Sequence, residues 1–218
     1  MPLSENRSVD PKQVVFVVDD DVDVREGLRS LLQSVSLGCE VFPSAKDFLN
    51  RKPSNAISCL ILDVRLPGPS GLDFQSELAG AHIDIPIIFI TGYGDIPMTV
   101  RAMKAGAVEF LTKPVREQDL LDAVRVALER DRERRERDDR MHGLKTRFET
   151  LSDREREVLS LVTSGLLNKQ MAGRMNLSEV TVKVHRHKMM KKMSAKSVPD
   201  LVKMAEALGV TRPEGQGT

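Results

Sequence analysis

Five short apolar runs recur along the first half of the chain, and amphipathic stretches separate them. Several of these runs are apolar at every position, which is typical of strands that helices cover on both faces. The runs are VVFVV (14–18), CEVF (39–42), CLIL (59–62), PIIFI (86–90) and VEFL (108–111). Between them apolar residues return at helical spacing, as Leu28, Leu31 and Val35 do. The pattern predicts an α/β doubly wound fold with a five-stranded parallel sheet.

From about residue 117 the pattern becomes helical. An apolar stripe that is expected to pack on the first domain consists of Leu120, Leu121, Val124 and Leu128. Residues 129–140 (ERDRERRERDDR) are six acidic residues and six arginines. Opposite charges recur there four residues apart, and each such pair stabilises a helix by about 0.2–0.5 kcal/mol. We therefore predict a charged helical linker over 129–148, in which Gly143 ends the helix; a charged disordered linker is the alternative.

Residues 149–210 show no strand-like alternation and carry the start and stop signals of four helices. Those signals are the capping-box pair Ser152 and Glu155, then Gly165, Ser178, Pro199 and Gly209. A short second helix is predicted over NKQMAGRM (168–175). These features predict an all-α four-helix domain.

The third of these helices, EVTVKVHRHKMMKKM (179–193), is strongly basic. It holds five Lys or Arg and two His against one acidic residue, Glu179. Its predicted buried face consists of Val182, Met189, Met190 and Met193. His185 and His187 do not form a metal pair, because residues two apart on a helix point about 200° apart.

Polar residues follow four of the five apolar runs at the point where each strand is expected to end. They are Asp19, Asp20, Asp63, Thr91 and Lys113. Because loops beyond the carboxyl ends of parallel strands meet in one crevice, we expect these side chains to converge. Carboxylates about 4 Å apart repel by about 1 kcal/mol in water, so a divalent cation with oxygen ligands is expected among them. The alternative for the aspartates at 19–21 is a solvated turn with a helix N-cap.

The charge changes sign along the chain, although its net value is only +1. Residues 1–114 hold 11 Lys and Arg against 15 Asp and Glu, whereas residues 149–218 hold 12 against 8. The two parts are therefore expected to meet different partners. Cys39 and Cys59 lie in apolar runs without CxxC spacing, which indicates core residues of a reduced protein. The chain lacks an apolar leader and any run near the ~20 residues needed to cross a bilayer, so we expect a cytoplasmic protein without membrane contact.

Motifs in both parts resemble those of the bacterial two-component response regulators of the FixJ and NarL type, over nearly the full length. The motifs are VVDDD (17–21), LILDVRLPGPSG (60–71), ITGYGDIPMTVRAMKAGAVEFLTKPV (90–115), LSDREREVLSLV (151–162) and NKQMAGRMNLSEVTVKVHRH (168–187). The resemblance implies a CheY-like receiver domain over 12–128, with strand order 2-1-3-4-5. It also implies a LuxR-type helix-turn-helix domain over 149–210 for binding DNA.

For the receiver, the resemblance implies that Asp63 accepts a phosphoryl group from a sensor histidine kinase. The implied Mg²⁺ ligands are Asp19 (through water), Asp20, Asp63 and the backbone carbonyl of Arg65. Lys113, before a cis Lys113–Pro114 bond, and Thr91 would contact phosphoryl oxygens. Thr91 with Phe110 would form the switch; a plain core phenylalanine is the alternative for Phe110, and both could hold. Phosphorylation is then expected to remodel the face formed by residues 97–120, produce a homodimer and free the basic domain.

For the basic helix, the resemblance implies insertion into the major groove of promoter DNA. Lys183, Val184 and His187 would face base edges, while the residues expected at phosphates are Thr181, Lys191 and Lys192. Arg186 could do either. The implied function is a phosphorylation-dependent transcriptional regulator, expected to be an activator, with a repressor as the alternative. RNA polymerase is a further expected partner.

Two other functions fit parts of the pattern. Aspartyl-phosphate phosphatases also use a strand-end Asp, Mg²⁺, a hydroxyl and a Lys, but they need a second Asp two residues beyond the nucleophile as general acid. Arg65 occupies that position, so the chain is not expected to be a turnover enzyme. An interaction scaffold built on the charged helix is the other alternative, and the complete set of site residues argues against it.

Overall fold

Strands and helices alternate through the first half of the chain, and helices alone follow. The computed structural model describes residues 13–92 and 94–210. The first elements are β1 (Gln13–Val18), α1 (Val22–Ser34), β2 (Gly38–Phe42), α2 (Ala45–Leu49), β3 (Ile57–Asp63), α3 (Gly71–Gly80), β4 (Ile87–Thr91), α4 (Ile96–Lys104) and β5 (Glu109–Thr112). The remaining elements are α5 (Glu117–Glu149), α6 (Asp153–Thr163), α7 (Asn168–Met175), α8 (Glu179–Met193) and α9 (Val198–Ala207). The chain folds as two compact units, an N-terminal unit that ends at Arg134 and a C-terminal unit that begins at Arg135.

The N-terminal unit is built on a parallel sheet of five strands in the order β2-β1-β3-β4-β5, which confirms the predicted fold and strand order. All seven residues of β3, the central strand, are buried. Side chains alternate between the two faces of the sheet and form a separate core on each. One core holds Phe16, Phe48, Phe74 and Phe89, and the other joins Val15, Val17, Ile61 and Ile88 to Leu120 and Val124 of α5.

The register of the sheet places the ends of several strands side by side. Val18 pairs with Leu62, Asp63 pairs with Ile90, and Thr91 pairs with Thr112. The residues that follow these pairs therefore emerge at one edge, as expected for parallel strands. Each strand begins or ends within two residues of its predicted position.

The C-terminal unit contains the four predicted helices around a core of its own. Val182, Met189 and Met193 of α8 are buried in this core, and Met190 packs against it half-buried. Among the described residues, the helices are all too short or too polar to cross a lipid bilayer.

The prediction that Gly143 ends the linker helix is wrong. α5 continues through Gly143 to Glu149 and is 33 residues long. Leu144 is buried in the core of the C-terminal unit, and Phe148 packs against it. This packing offsets the low helix propensity of glycine, which costs only about 1 kcal/mol relative to alanine. The last turns of α5 are thus part of the C-terminal unit.

Asp131 is buried, although it belongs to the charged run at residues 129–140. Its side chain is 1% exposed, accepts a hydrogen bond from the Ser58 N–H at 2.8 Å and pairs with Arg134 at 2.6 Å. Leu60 donates on the β4 side of β3 to the carbonyl of Pro86. The N–H of Ser58, two residues earlier, points to the same side but precedes the start of β4 at Ile87. The Asp131 carboxylate accepts the hydrogen bond that β4 does not reach.

Replacing Asp131 by Ala should lower the free energy of unfolding of the N-terminal unit by about 1–3 kcal/mol, because the buried Ser58 N–H would lose its acceptor. The matched control is Asp139→Ala, an exposed aspartate on the same helix, which should change stability by less than about 0.5 kcal/mol. Urea unfolding followed by circular dichroism measures both. Equal stability of the two variants would contradict a structural role for the buried carboxylate.

Candidate functional site

Three aspartates meet at the carboxyl edge of the sheet. The carboxylate oxygens that Asp19, Asp20 and Asp63 present lie within 4.8 Å of one another. Asp19 follows the last residue of β1 and is fully buried, Asp63 ends β3 and is buried, and Asp20 is exposed. The sheet thus brings together the carboxylates that the sequence predicted to converge.

Lys113 neutralises part of the negative charge of these carboxylates. Its ammonium lies 2.7 Å from Asp19 Oδ2 and 2.8 Å from Asp63 Oδ2, and the Lys113–Pro114 bond is cis, as predicted. Burial alone would lower the pKa of Lys113, but the hydrogen bonds to Asp19 and Asp63 raise it, so the ammonium stays charged. Burial also raises the pKa of Asp19, and the bond from Lys113 opposes this shift.

The second oxygen of each buried carboxylate accepts a backbone hydrogen bond. The N–H of Asp21 donates to Asp19 Oδ1, and the N–H of Arg65 donates to Asp63 Oδ1, each at 3.0 Å. These bonds leave both carboxylates in a fixed orientation. Three carboxylates and one ammonium leave a net charge of about −2, and oxygen is the donor that Mg²⁺ prefers. The residues therefore fit a divalent cation.

The two alternatives for the aspartates at 19–21 both apply, but to different residues. Asp21 is the N-cap of α1, and its Oδ1 accepts from the N–H groups of Asp23 and Val24. Asp19 and Asp20 belong to the acidic cluster instead. Capping alone does not account for the three consecutive acids.

Thr91 and Phe110 lie on the two strands that follow β3 across the sheet. Thr91 ends β4 and is fully buried, while Phe110 of β5 is half-buried and packs on Phe89 with ring centroids 6.1 Å apart. Gly94 lies close to both: a Cβ there would be 2.8 Å from Phe110 Cε1 and 3.4 Å from Thr91 Cγ2. Nothing in the sequence pattern singled out Gly94, because the close approach depends on two other strands.

The helix after this segment exposes an apolar stripe. On α4, Ile96 is 81% exposed, Val100 43% and Met103 41%, and their spacing places them on one side of the helix. Arg101 and Lys104 of the same helix are also exposed. All five residues lie within or beside the face predicted to change on phosphorylation.

The predicted DNA-contact residues form most of one face of α8. Lys183, Val184, His187 and Lys191 line this face, whereas the buried residues of the helix lie on the opposite side. Thr181 is half-buried at the first turn, where its hydroxyl lies 2.7 Å from that of the N-cap residue Ser178.

Arg186 is held by a neighbouring helix. It is half-buried and donates from Nη1 to Asn168 Oδ1 of α7 at 2.7 Å. Asn168 thereby orients a predicted contact residue, a role that the sequence did not indicate.

Lys192, another predicted contact residue, pairs with an acidic residue of α6. Its ammonium lies 2.6 Å from Glu155 Oε2 and donates to the carbonyl of Thr150 at 2.9 Å. Glu155 is 3% exposed. Burial raises the pKa of Glu155, but hydrogen bonds from Lys192 and Ser152 outweigh burial and leave that pKa below its ordinary value. The exposed Lys192, which the sequence predicts to meet a phosphate, thus pairs with a buried carboxylate of its own unit.

Comparisons with known proteins agree on both units. The family described as "Response regulator receiver domain" matches residues 15–125, and the family described as "Bacterial regulatory proteins, luxR family" matches residues 149–205. Nodulation protein W of Bradyrhizobium diazoefficiens is 56% identical over 200 residues, which cover 92% of this chain and 88% of that protein.

Solved structures match over both units as well. The structure of response regulator StyR has a TM-score of 0.82 and 50% identity, and covers 89% of this chain and 98% of its own. Full-length FixJ from B. japonicum has a TM-score of 0.55 and 34% identity, and the match covers 93% of this chain and 100% of the FixJ chain. The resemblance to the FixJ type is confirmed.

Gly71, the first residue of α3, lets that helix approach the acidic cluster. A Cβ at this position would collide with the backbone carbonyl oxygen of Asp63 and lie 3.0 Å from Val64 Cα. Gly71→Ala should therefore cost about 1–3 kcal/mol of unfolding free energy and weaken Mg²⁺ binding, because the backbone that carries Asp63 must shift. Denaturant titration and calorimetric titration with Mg²⁺ measure the two effects.

The matched control is Gly80→Ala at the other end of α3, where an added Cβ would meet nothing within 4 Å. This variant should be as stable as the wild type or slightly more stable, since alanine favours a helix. Wild-type Mg²⁺ affinity in Gly71→Ala would show that the approach of α3 does not position Asp63.

Proposed function

The chain belongs to the two-component response regulators that join a receiver domain to a LuxR-type DNA-binding domain, and on that basis we propose that phosphorylation of Asp63 controls its binding to promoter DNA. As such it is a DNA-binding transcriptional regulator of a family that is generally non-enzymatic. The observation that carries the proposal is the pair of ion pairs from Lys113 to Asp19 and Asp63 beside Asp20.

Asp63 is the proposed phosphoacceptor. A carboxylate oxygen of Asp63 attacks phosphorus of a phosphohistidine on a sensor kinase, the P–N bond breaks, and the imidazole leaves as the acyl phosphate P–O bond forms. The Asp63 oxygens are ordered before the reaction by Lys113 and by the N–H of Arg65. This order reduces the reorganisation that the transfer requires.

The remaining site residues are proposed to neutralise the negative charge of the phosphoryl group. Asp20, Asp63 and the backbone carbonyl of Arg65 would hold Mg²⁺, with Asp19 reaching it through water, and the ion would supply positive charge opposite the incoming phosphoryl group. Lys113 pairs with one phosphoryl oxygen, and the Thr91 hydroxyl donates to another. We assign no turnover activity, because Arg65 stands where a phosphatase of this chemistry needs an acidic proton donor.

Phosphorylation is proposed to act through the surface near α4. Gly94 lies beside both Thr91 and Phe110. Movement of Thr91 toward the phosphoryl group would therefore leave space next to Gly94 and Phe110. The exposed stripe of Ile96, Val100 and Met103 offers apolar area for a homodimer. Phosphorylation shifts the populations of two conformations of the protein. It favours one conformation only to the extent that the phosphoryl group interacts more strongly with that conformation than with the other.

The DNA-binding half uses α8 as the recognition helix in the major groove. Lys183, Val184 and His187 face base edges, and Thr181 and Lys191 meet phosphates. Arg186 does either, held by Asn168. We assign Lys192 to fixing the C-terminal end of α8 through Glu155 rather than to a phosphate.

The two domains of the chain imply different binding partners. The receiver implies a sensor histidine kinase, and the helix-turn-helix implies DNA. We propose that the protein acts as an activator in the bacterial cytoplasm, where the promoter and RNA polymerase are found. A dimer would recognise two half-sites about one helical turn apart.

Asp63→Asn should abolish phosphorylation by acetyl phosphate in the presence of Mg²⁺, because an amide is not a nucleophile for this transfer. Mass spectrometry of the intact protein reports the adduct. With BeF₃⁻ and Mg²⁺ the wild type should elute from size exclusion as a dimer, whereas Asp63→Asn should remain a monomer. Asp139→Asn, on an exposed aspartate, is the control and should behave as the wild type in both assays. A wild type that acquires no phosphoryl group, or stays monomeric with BeF₃⁻, contradicts the switch.

Replacing Lys191 by Ala should weaken binding to all DNA sequences and lower the slope of log K against log salt by about 1, because one phosphate contact is lost. Lys183→Ala should instead cost about 1–3 kcal/mol on the preferred site and relax the choice of base. Fluorescence anisotropy at several salt concentrations separates the two effects. Lys203→Ala on α9 removes an exposed charge away from α8 and serves as the control. Unaltered sequence preference in Lys183→Ala would argue against α8 as the reading helix.

A further inference from the structure

Val180 is the most exposed apolar side chain of α8 among those the structure describes. It is 71% exposed, and Val184, one turn later, is 47% exposed. Both stand on a helix whose other apolar residues form the core of the C-terminal unit. A β-branched residue is a weaker helix former than alanine, so neither helix stability nor packing explains valine at position 180.

The position of Val180 on the helix places it in the middle of the basic face. With about 3.6 residues per turn, His187 and Lys191 lie within roughly 20° of Val180, and Val184 lies about 40° away. Lys183 and the exposed Lys188 flank this group on either side. The core residues Val182 and Met189 lie on the opposite side of the helix.

The charge of this face favours DNA as its occupant. Val180 and Val184 are apolar points within a surface of four lysine or histidine side chains, which is complementary to a polyanion rather than to an apolar protein groove. In the major groove, the C5-methyl of thymine is the apolar group among the base edges, and it is read by apolar contact. A valine on a recognition helix is suited to that methyl.

We propose that Val180 is a specificity-determining residue that contacts the methyl group of a thymine within two base pairs of the base contacted by Val184. The inference rests on the proposed DNA-binding function and deepens it. The two valines are about 6 Å apart along the helix axis, which is close to two base steps of about 3.4 Å. The preferred half-site therefore carries two thymines that are adjacent or one base pair apart.

The test compares thymine with deoxyuridine, which lacks only the C5-methyl group. The preferred site is first selected from random DNA by the full-length protein with BeF₃⁻ and Mg²⁺, and each thymine is then replaced in turn. Fluorescence anisotropy gives the affinity of the wild type and of Val180→Ala for every substituted site. Alanine is the better helix former, so the variant retains α8.

At one thymine, removal of the methyl should weaken wild-type binding by about fourfold, the value of one buried methyl-sized group. Val180→Ala should bind the unsubstituted site more weakly by a similar factor and should lose nothing further at that thymine. Val184→Ala should show the same insensitivity at a different thymine within two base pairs. Val35→Ala, an exposed valine at the end of α1, should keep the wild-type pattern throughout.

Two results overturn the inference. If Val180→Ala loses as much affinity as the wild type at every deoxyuridine, Val180 reads no methyl group. If Val180→Ala binds all sites as the wild type does but fails to retain a protein partner, its side chain contacts protein instead. Both results leave the proposed function standing, whereas absence of any sequence-selective DNA binding by the wild type removes the function and the inference together.

Discussion

The site at the carboxyl edge of the sheet depends on one interaction, the bridge from the Lys113 ammonium to the carboxylates of Asp19 and Asp63. A fully buried carboxylate such as Asp19 is costly unless a positive group and hydrogen bonds compensate it. Lys113 comes from a loop 94 residues away from Asp19 in sequence, so the compensation exists only when β1, β3 and β5 are in one sheet. The site therefore forms with the fold and not after it, and the negative charge that remains on its carboxylates fits a divalent cation.

The C-terminal unit also has a buried carboxylate that a lysine distant in sequence compensates. Glu155 is buried at the start of α6, where it completes a capping box with Ser152 and receives Lys192 from the last turn of α8. Lys192 also reaches the carbonyl of Thr150, and Arg147 of α5 donates to the carbonyl of Met193 at 3.2 Å. The C-terminal end of α8 is thus tied to the residues that lead into the domain, whereas Val180 and Lys183 in its N-terminal turns are exposed.

Local sequence patterns predicted what depends on local structure. The apolar runs located all five strands, the cap residues located the helices of the C-terminal unit, and the rule for parallel strands collected Asp19, Asp63 and Lys113 before any distance was known. The failures share a cause, which is partners distant in sequence. Gly143 stays helical because Leu144 and Phe148 pack into a core, and Asp131 is buried because Ser58 needs an acceptor. The pairing of the exposed Lys192 with Glu155 likewise depends on a partner distant in sequence. The sequence of a charged run or a basic helix does not show which of its residues has a partner distant in the chain.

The charge balance also limits how strongly phosphorylation can act on the proposed mechanism. In the unmodified site Asp63 Oδ2 accepts from Lys113, and in the acyl phosphate a phosphoryl oxygen would take its place while Asp19 keeps the second bond to the ammonium. For Lys113 the modification therefore exchanges one charged contact for another, so this contact by itself contributes little to the difference in free energy between the two forms. A change of a few kcal/mol is enough to reverse a two-state population, but it does not drive a one-way motion. Coupling to a dimer, whose formation buries apolar area on α4 and depends on protein concentration, would convert this modest bias into a sharper response.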